Sequence, residues 1–392
     1  MGGQRHLEPV ERGRQAECVT DVRRHSPGVG DRERALLVQV VLASHGRAAA
    51  ADSLLELERL ADTAGIDVVG HITQNRTRYT PRLCIGEGKL ADIQLACHET
   101  GAELIITDND LTPVQVNNLD LSIGIRVIDR TELILQIFAR RARSAEAKTQ
   151  VELAQLQYLV SRIPVSSRQQ RFQGGIGMRG PGESPLQMRN APMRRRIKHL
   201  TAKISSFEKH RLQTRSRRPW PVVALVGYTN AGKSTLMNSL AAAGAYVDDR
   251  FFATLDTKTR LVHLEEGRQI LLSDTVGFIR HLPHGLVASF RSTLEEVREA
   301  DLLLHLADAS HRRVADHCDV VDATLEDIGA QNVPRMVVLN KCDHPDAVKV
   351  LDTLRCRFSG SIEVSALMKT GMDELRQRLL SRIEWMRSEA RD

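Results

Sequence analysis

The run Gly227-Tyr228-Thr229-Asn230-Ala231-Gly232-Lys233-Ser234-Thr235 has the residue types and spacing to hold phosphates. Glycines at its two ends let the backbone curl until successive N–H groups face one anion, and a helix beginning there adds its positive end. Lys233 is long enough to reach terminal phosphates, and the Ser234 hydroxyl is a hard oxygen ligand suited to Mg²⁺. The apolar run 222–226 before it reads as a buried strand and 234–243 after it as a helix. That strand–loop–helix setting is what the pattern requires.

Three downstream stretches, two of them directly ending strand-like runs, extend this chemistry. Gln269–Ser273 leads into Asp274-Thr275-Val276-Gly277, a carboxylate to hold Mg²⁺ through water and a glycine N–H to sense a third phosphate. Arg335–Leu339 leads into Asn340-Lys341-Cys342-Asp343. A carboxylate there accepts from both N1–H and the 2-amino group of guanine, and adenine leaves it unpaired. Ser361–Val364 leads to Ser365-Ala366-Leu367, placed to back the base. Between the phosphate loop and Asp274 lies Phe251-Phe252-Ala253-Thr254-Leu255-Asp256, read as a first switch, with 283–298 as the second switch and its helix. Phe252, Ala253, Thr254 and Leu255 are expected near the nucleotide. Thr254 is the leading Mg²⁺ and third-phosphate ligand, with Thr257 and Thr259 as rivals. The Mg²⁺ set is therefore Ser234, Thr254 and Asp274, and Lys233, Thr254 and Gly277 are the catalytic candidates. In this order the elements look like a GTPase of the translation-factor-related class, an α/β P-loop domain over residues 220–392 with six mostly parallel strands.

Two residues bear on hydrolysis. Some GTPases place Gln after the D-x-x-G glycine to orient water; Phe278 stands there and cannot. Asn230 lies where related potassium-dependent GTPases coordinate K⁺, and it also suits a role in stabilising the loop; both readings stand.

The elements that position this machinery begin upstream. Residues 35–138 alternate strand-like runs (36–42, 68–72, 104–107, 125–128) with helix-like ones (53–64, 90–98), the pattern of a small parallel α/β binding domain. Ile85-Gly86-Glu87-Gly88-Lys89 reads as a turn entering a helix. No nucleophile–base pair is evident there, and His45 and His71 lack metal-like partners. Helical spacing then runs from Thr131 through Ile163, read as one helix that Pro164 ends. A Gly- and Pro-rich loop follows, and a second helix is expected from Pro192. There Met193, Ile197, Leu200, Ile204 and Phe207 are spaced as a coiled-coil seam. Residues 139–219 thus form an antiparallel helical hairpin with a Gly-rich tip.

Charge is concentrated in that hairpin. From Arg140 to Pro219 there are 19 Lys and Arg against 4 Asp and Glu, so +15 lies here while the whole chain carries only +6. Such a basic segment beside acidic domains points to nucleic-acid phosphate, with Arg194, Arg195, Arg196 and Lys198 on the helix and Arg171 and Arg179 near the tip. No apolar run approaches a membrane span. The six cysteines show no metal or disulfide spacing, which fits a reducing, cytoplasmic setting. Residues 1–34 lack the apolar segment of a secretory signal and read as a disordered tail.

The sequence resembles the HflX family of ribosome-associated GTPases over roughly residues 36–385. The resemblance is carried by Pro81 to Lys89, Leu111 to Leu119, Asp129 to Leu135, Gln150 to Leu156, Gly174 to Glu183, Gly227 to Thr235 and Phe252 to Asp256. It implies a protein that binds GTP and GDP and the large ribosomal subunit and its RNA; a monomer is expected, although the sequence does not give the oligomeric state. In the family, the N-terminal domain and linker reach towards the peptidyl-transferase centre, and the GTP form splits ribosomes. Alternatives are a GTPase of large-subunit assembly and a nucleotide-gated RNA-binding module. The stretch Ser184 to Pro192 departs from the family pattern, and its two prolines are expected to reshape the tip.

Overall fold

Short Val-, Ile- and Leu-rich runs between turn residues form two sheets, and apolar residues at helical spacing cover them. The structure is a computed structural model that describes residues 32–43, 46–162, 185–215, 219–241, 252, 258–280 and 291–389. The N-terminal sheet comprises β1 (Arg34–Leu42), β2 (Asp67–Arg76), β3 (Leu104–Thr107) and β4 (Arg126–Asp129). Its order is β2-β1-β3-β4 and every pair is parallel. Strand β1 is buried continuously from Ala35 to Val41, as a central strand covered on both faces must be.

Helices α1 (Arg47–Thr63), α2 (Glu87–Thr100) and α3 (Pro113–Ile123) cross between the strands. Gly86 caps α2, matching a turn that enters a helix. Helix α3 was not foreseen. It is started by a reciprocal cap between Thr112 and Gln115, with Pro113 in its first turn.

The single helix expected over 131–163 is two: α4 (Arg130–Arg141) and α5 (Ala145–Arg162). Ala142 turns extended, at φ −61° and ψ 116°, and the Ser144 hydroxyl accepts from the Ala147 N–H at 3.0 Å to start the next helix. This break lets Ala147, Val151 and Ala154 enter the same core as Leu57, Ile134 and Phe138, so the first half of α5 packs with the N-terminal sheet. Tyr158 ties it further, donating to Asp129 at 2.7 Å.

The returning helix, α6 (Pro185–Arg215), begins before the expected Pro192, which it contains. One internal proline removes a single backbone bond and need not end a long helix. Leu153, Leu200 and Ile204 bury one another between α5 and α6, and Arg196 forks onto Glu152 at 2.6 and 2.9 Å. The Gly-rich tip and the tail up to residue 31 lie outside the described residues.

The second sheet has strands β5 (Val222–Gly227), β6 (Lys258–His263), β7 (Gln269–Asp274), β8 (Leu302–Asp308), β9 (Arg335–Asn340) and β10 (Ile362–Glu363). Their order is β10-β9-β8-β5-β7-β6, parallel except for β6 against β7. Helices α7 (Lys233–Leu240), α8 (Arg291–Arg298), α9 (Val314–Asp327), α10 (Val348–Arg357) and α11 (Met372–Glu389) pack around it. Strand order reverses beside β5, so a crevice opens at its carboxyl end, where residues 227–232 lie. Among the described residues no helix is long and apolar enough to cross a membrane.

Candidate functional site

The phosphate loop is shaped by residues only its sequence allows. Gly227 has φ 155°, and a Cβ there would lie 2.4 Å from the Leu306 carbonyl oxygen. Asn230 sits left-handed at φ 61° and Gly232 at φ 92°. Asn tolerates that conformation better than other side-chain-bearing residues. Lys233 folds beneath the loop and donates to the carbonyls of Gly227 and Tyr228 at 3.0 and 2.9 Å. Burial pulls its ammonium down to about 8, and the nearby Asp274 carboxylate opposes that shift.

Behind the lysine, the Ser234 hydroxyl donates to Asp274 Oδ2 at 2.7 Å. A hydroxyl and a fully buried carboxylate, held together at a phosphate-binding loop, are the hard oxygen donors Mg²⁺ takes, so these residues fit that ion. Among the described residues no three His, Cys, Asp or Glu side chains gather as a metal site of their own. Thr254, the third expected ligand, lies outside the described residues with Ala253, Leu255 and Thr257. Thr259, its described rival, faces Ser273 on the neighbouring strand at 3.1 Å.

The Asp274–Gly277 loop closes against the phosphate loop. Thr275 donates to the Leu225 carbonyl at 2.6 Å. The Thr229 N–H donates to the Phe278 carbonyl at 2.8 Å, and the Phe278 N–H to the Gly227 carbonyl at 3.1 Å. Phe278 itself is buried among Val226, Leu294, Val297 and Leu303, so its ring belongs to the core and does not face a water.

On the other side, Asn340 binds three loops together. Its Nδ2 donates to the Ala231 carbonyl at 2.8 Å and its Oδ1 accepts from the Ala366 N–H at 3.0 Å. Lys341, left-handed at φ 63°, pairs with Asp308 at 2.8 Å. Asp343 is exposed and Ser365 fully buried, its hydroxyl accepting from the Met368 N–H at 3.0 Å. Leu367 projects outward at 75 % exposure. The structure thus gathers Gly227 to Thr235, Asp274 to Gly277, Asn340 and Ser365–Leu367 at one end of the sheet.

Sequence reasoning missed what lies across from the phosphate loop. The Tyr228 side chain leaves the crevice: its hydroxyl donates to Glu56 of α1 at 2.6 Å and accepts from the Arg280 N–H at 3.1 Å. Its ring stacks on His317 at 3.9 Å. Burial, reinforced by the Glu56 charge, holds the Tyr228 phenol far above its ordinary value. Glu56 in turn takes the fully buried Arg130 at 2.6 Å, and Arg130 reaches Asp108 at 2.8 Å. Phe252 meets Phe138 edge-on at 4.7 Å. The available signal was Asp52 and Glu56 on one face of α1.

The comparisons with known proteins agree across both sheets and the linker between them. Residues 51–139 match the family model described as GTP-binding GTPase N-terminal, 141–218 the GTP-binding GTPase Middle Region, and 222–341 the 50S ribosome-binding GTPase. GTPase HflX of Caldanaerobacter subterraneus subsp. tengcongensis is 44% identical over 363 residues, which is 92% of this chain and 81% of the relative. GTPase HflX of Escherichia coli K12 is 42% identical over 337 residues, 85% of this chain and 79% of the relative. A solved structure, the crystal structure of the SsGBP and GDP complex, superposes with a TM-score of 0.50 at 25% identity, covering 89% of this chain and 98% of that one. With a P-loop sheet, a glycine-framed phosphate loop and this likeness along its length, the chain belongs to the HflX family of GTP-hydrolysing enzymes.

Proposed function

We propose that this GTPase binds the large ribosomal subunit through its basic hairpin and, in the GTP form, splits ribosomes. The observation that carries this reading is the hairpin's exposed cations. Arg194, Arg195 and Lys198 lie on the open face of α6, while the opposite face is sealed against α5. Phosphate-rich RNA is the partner such a face fits, and the 50S ribosome-binding GTPase model over residues 222–341 supports a ribosomal one. We place this GTPase in the cytoplasm as a monomer.

Within the G domain, backbone N–H groups of 228–235 hold the phosphates and Lys233 moves from the loop carbonyls to the terminal phosphates. Ser234 and Thr254 would hold Mg²⁺ directly and Asp274 through water, and the ion would supply positive charge against the phosphates. The Gly277 N–H binds the third phosphate, and Asp343 reads guanine with Ser365, Ala366 and Leu367 behind the base. Among the described residues the Asn230 side chain is exposed and makes no hydrogen bond, which leaves it open to ligate K⁺.

The test is a triple charge reversal, Arg194→Glu, Arg195→Glu and Lys198→Glu, followed by sedimentation with large subunits across a salt series. Loss of co-sedimentation with a shallower salt dependence and unchanged GDP affinity supports the reading; unchanged co-sedimentation overturns it.

A further inference from the structure

We propose that Arg280 is a catalytic residue, an arginine built into the G domain that leaves Asp316 and binds the third phosphate as GTP is hydrolysed. The inference rests on the phosphates lying along residues 227–235. Hydrolysis joins a water oxygen to the third phosphorus and breaks the bond from that phosphorus to the bridging oxygen. The bridging oxygen leaves on GDP with the electron pair, and the proton of the water passes to the released phosphate. Negative charge shifts among these oxygens as the bond breaks. Lys233 brings one positive charge, while the Phe278 ring lies in the core and brings none. A second cation placed there stabilises the transition state more than the bound substrate.

A cavity of about 80 Å³ opens beside the phosphate loop, with Thr229, Asn230, Asp308, Arg59, Arg280 and Arg313 in its lining. It is polar and large enough to hold water that a side chain can displace. The Thr229 hydroxyl is buried and has no partner among the described residues. Buried polar groups are otherwise paired, so this one marks a place for an oxygen of the ligand or of the attacking water. Three arginines share the cavity, and their bonds separate them. Arg313 is committed, pairing with Asp52 at 3.1 Å and donating to Asp316 at 2.6 Å. Arg59 lies exposed on α1, and nothing ties it to the phosphates.

Arg280 is tied. It stands three residues after Gly277, so the two Cα atoms are at most about 11 Å apart, a span that an extended arginine and its hydrogen bond cover. The start of the segment is fixed to the phosphate loop. Phe278 is buried, its N–H donates to Gly227 at 3.1 Å and its carbonyl accepts from Thr229 at 2.8 Å. Arg280's present partner can release it. Among the described residues the guanidinium bonds only to Asp316, at 3.2 Å. Asp316 is 44 % exposed, and it keeps Arg313 when Arg280 departs. A partly exposed pair of this kind contributes little, so a phosphate competes for the arginine with success. The planar fork then meets phosphate oxygens through two N–H groups, where a lysine offers a point charge.

The test is hydrolysis by the full-length chain without ribosomes, in KCl and in NaCl. Beside it, affinities are measured for GDP, a non-hydrolysable GTP analogue, and GDP with aluminium fluoride, which mimics the phosphoryl group in transfer. For Arg280→Ala the expected kcat is lower by roughly a hundredfold to a thousandfold in both salts, which separates the arginine from K⁺ at Asn230. GDP and analogue affinities stay within about threefold, and the aluminium fluoride complex is lost. Asp316→Asn frees the arginine, so kcat holds or rises; a merely structural pair would lose activity equally from either side. Arg280→Met keeps the apolar stem without the charge and decides the matter if Arg280→Ala does not fold. Arg59→Ala keeps the parent rate. A rate within about threefold of the parent for the Arg280 variants, an equal loss in Asp316→Asn, or the loss appearing in Arg59→Ala instead overturns the proposal. Failure of the parent to bind GDP would overturn the phosphate placement on which it rests.

Discussion

Gly232→Ala tests the geometry that binds the phosphate loop to the base-side loops. Two separate costs follow from the structure. At φ 92° an alanine is strained, at about 1–2 kcal/mol. Its Cβ would also lie 2.3 Å from Asn340 Nδ2, so that buried amide must leave. Its departure strands the Ala231 carbonyl and the Ala366 N–H, each at about 1–3 kcal/mol when buried and unpaired. The sum is about 3–8 kcal/mol, all of it in the G domain. Urea unfolding of the G-domain transition, with GDP titration in parallel, is the assay. The expected result is a midpoint shift of that size at unchanged slope, with GDP binding weakened at least tenfold. Gly267→Ala is the control: φ is 69° there but nothing lies within 4 Å of the added Cβ, so only the conformational cost of about 1 kcal/mol applies. Equal effects of the two substitutions, or a Gly232→Ala loss under about 1 kcal/mol, would refute the collision argument.

Asp274→Asn removes the carboxylate facing Ser234, and the Mg²⁺ dependence of nucleotide affinity should largely vanish while binding in EDTA stays near the parent's. Asn230→Gly keeps the left-handed backbone and deletes the side chain; if Asn230 ligates K⁺, hydrolysis in KCl falls to the NaCl rate, whereas a purely conformational role leaves the KCl advantage intact. His305 is fully buried on β8, and neither ring nitrogen has a partner among the described residues. Burial, aided by the charges of Arg335 and Lys233, pulls it from 6.5 down to about 3. The unfolded chain then binds the extra proton, so this contribution is complete above about pH 6.5 and is lost towards pH 3, at about 1.4 kcal/mol per pH unit. His305→Leu should flatten the acid side of the stability profile and raise stability at pH 7, read by urea unfolding across pH; an unaltered profile contradicts it.

How far this molecule is legible in its sequence follows from the range of each interaction. The G domain reads well because phosphate binding fixes residue types at short spacing: Gly227, Gly232, Lys233 and Ser234 all fall within one turn-and-helix unit. The strands ending at Asp274 and Asn340 read equally well, since each couples an apolar run to a fixed tetrapeptide. Helix α3 was missed although Thr112, Pro113 and Gln115 spell a helix start, because its sparse apolar residues leave a weak period. The break at Ala142 was illegible for another reason: neither glycine nor proline marks it, and the core that draws Val151 inward is built from distant strands. The contacts of Glu56 with Tyr228 and of Phe138 with Phe252 join residues more than 90 apart in the chain, and no local pattern announces them.

The most direct measurement of the central proposal is GTP hydrolysis in KCl, alone and with purified large subunits or intact ribosomes, followed by sedimentation of each mixture. The account predicts strong stimulation by the particles and conversion of intact ribosomes to subunits when a non-hydrolysable GTP analogue is present. Hydrolysis indifferent to the particles, with ribosomes left intact under the analogue, would contradict it.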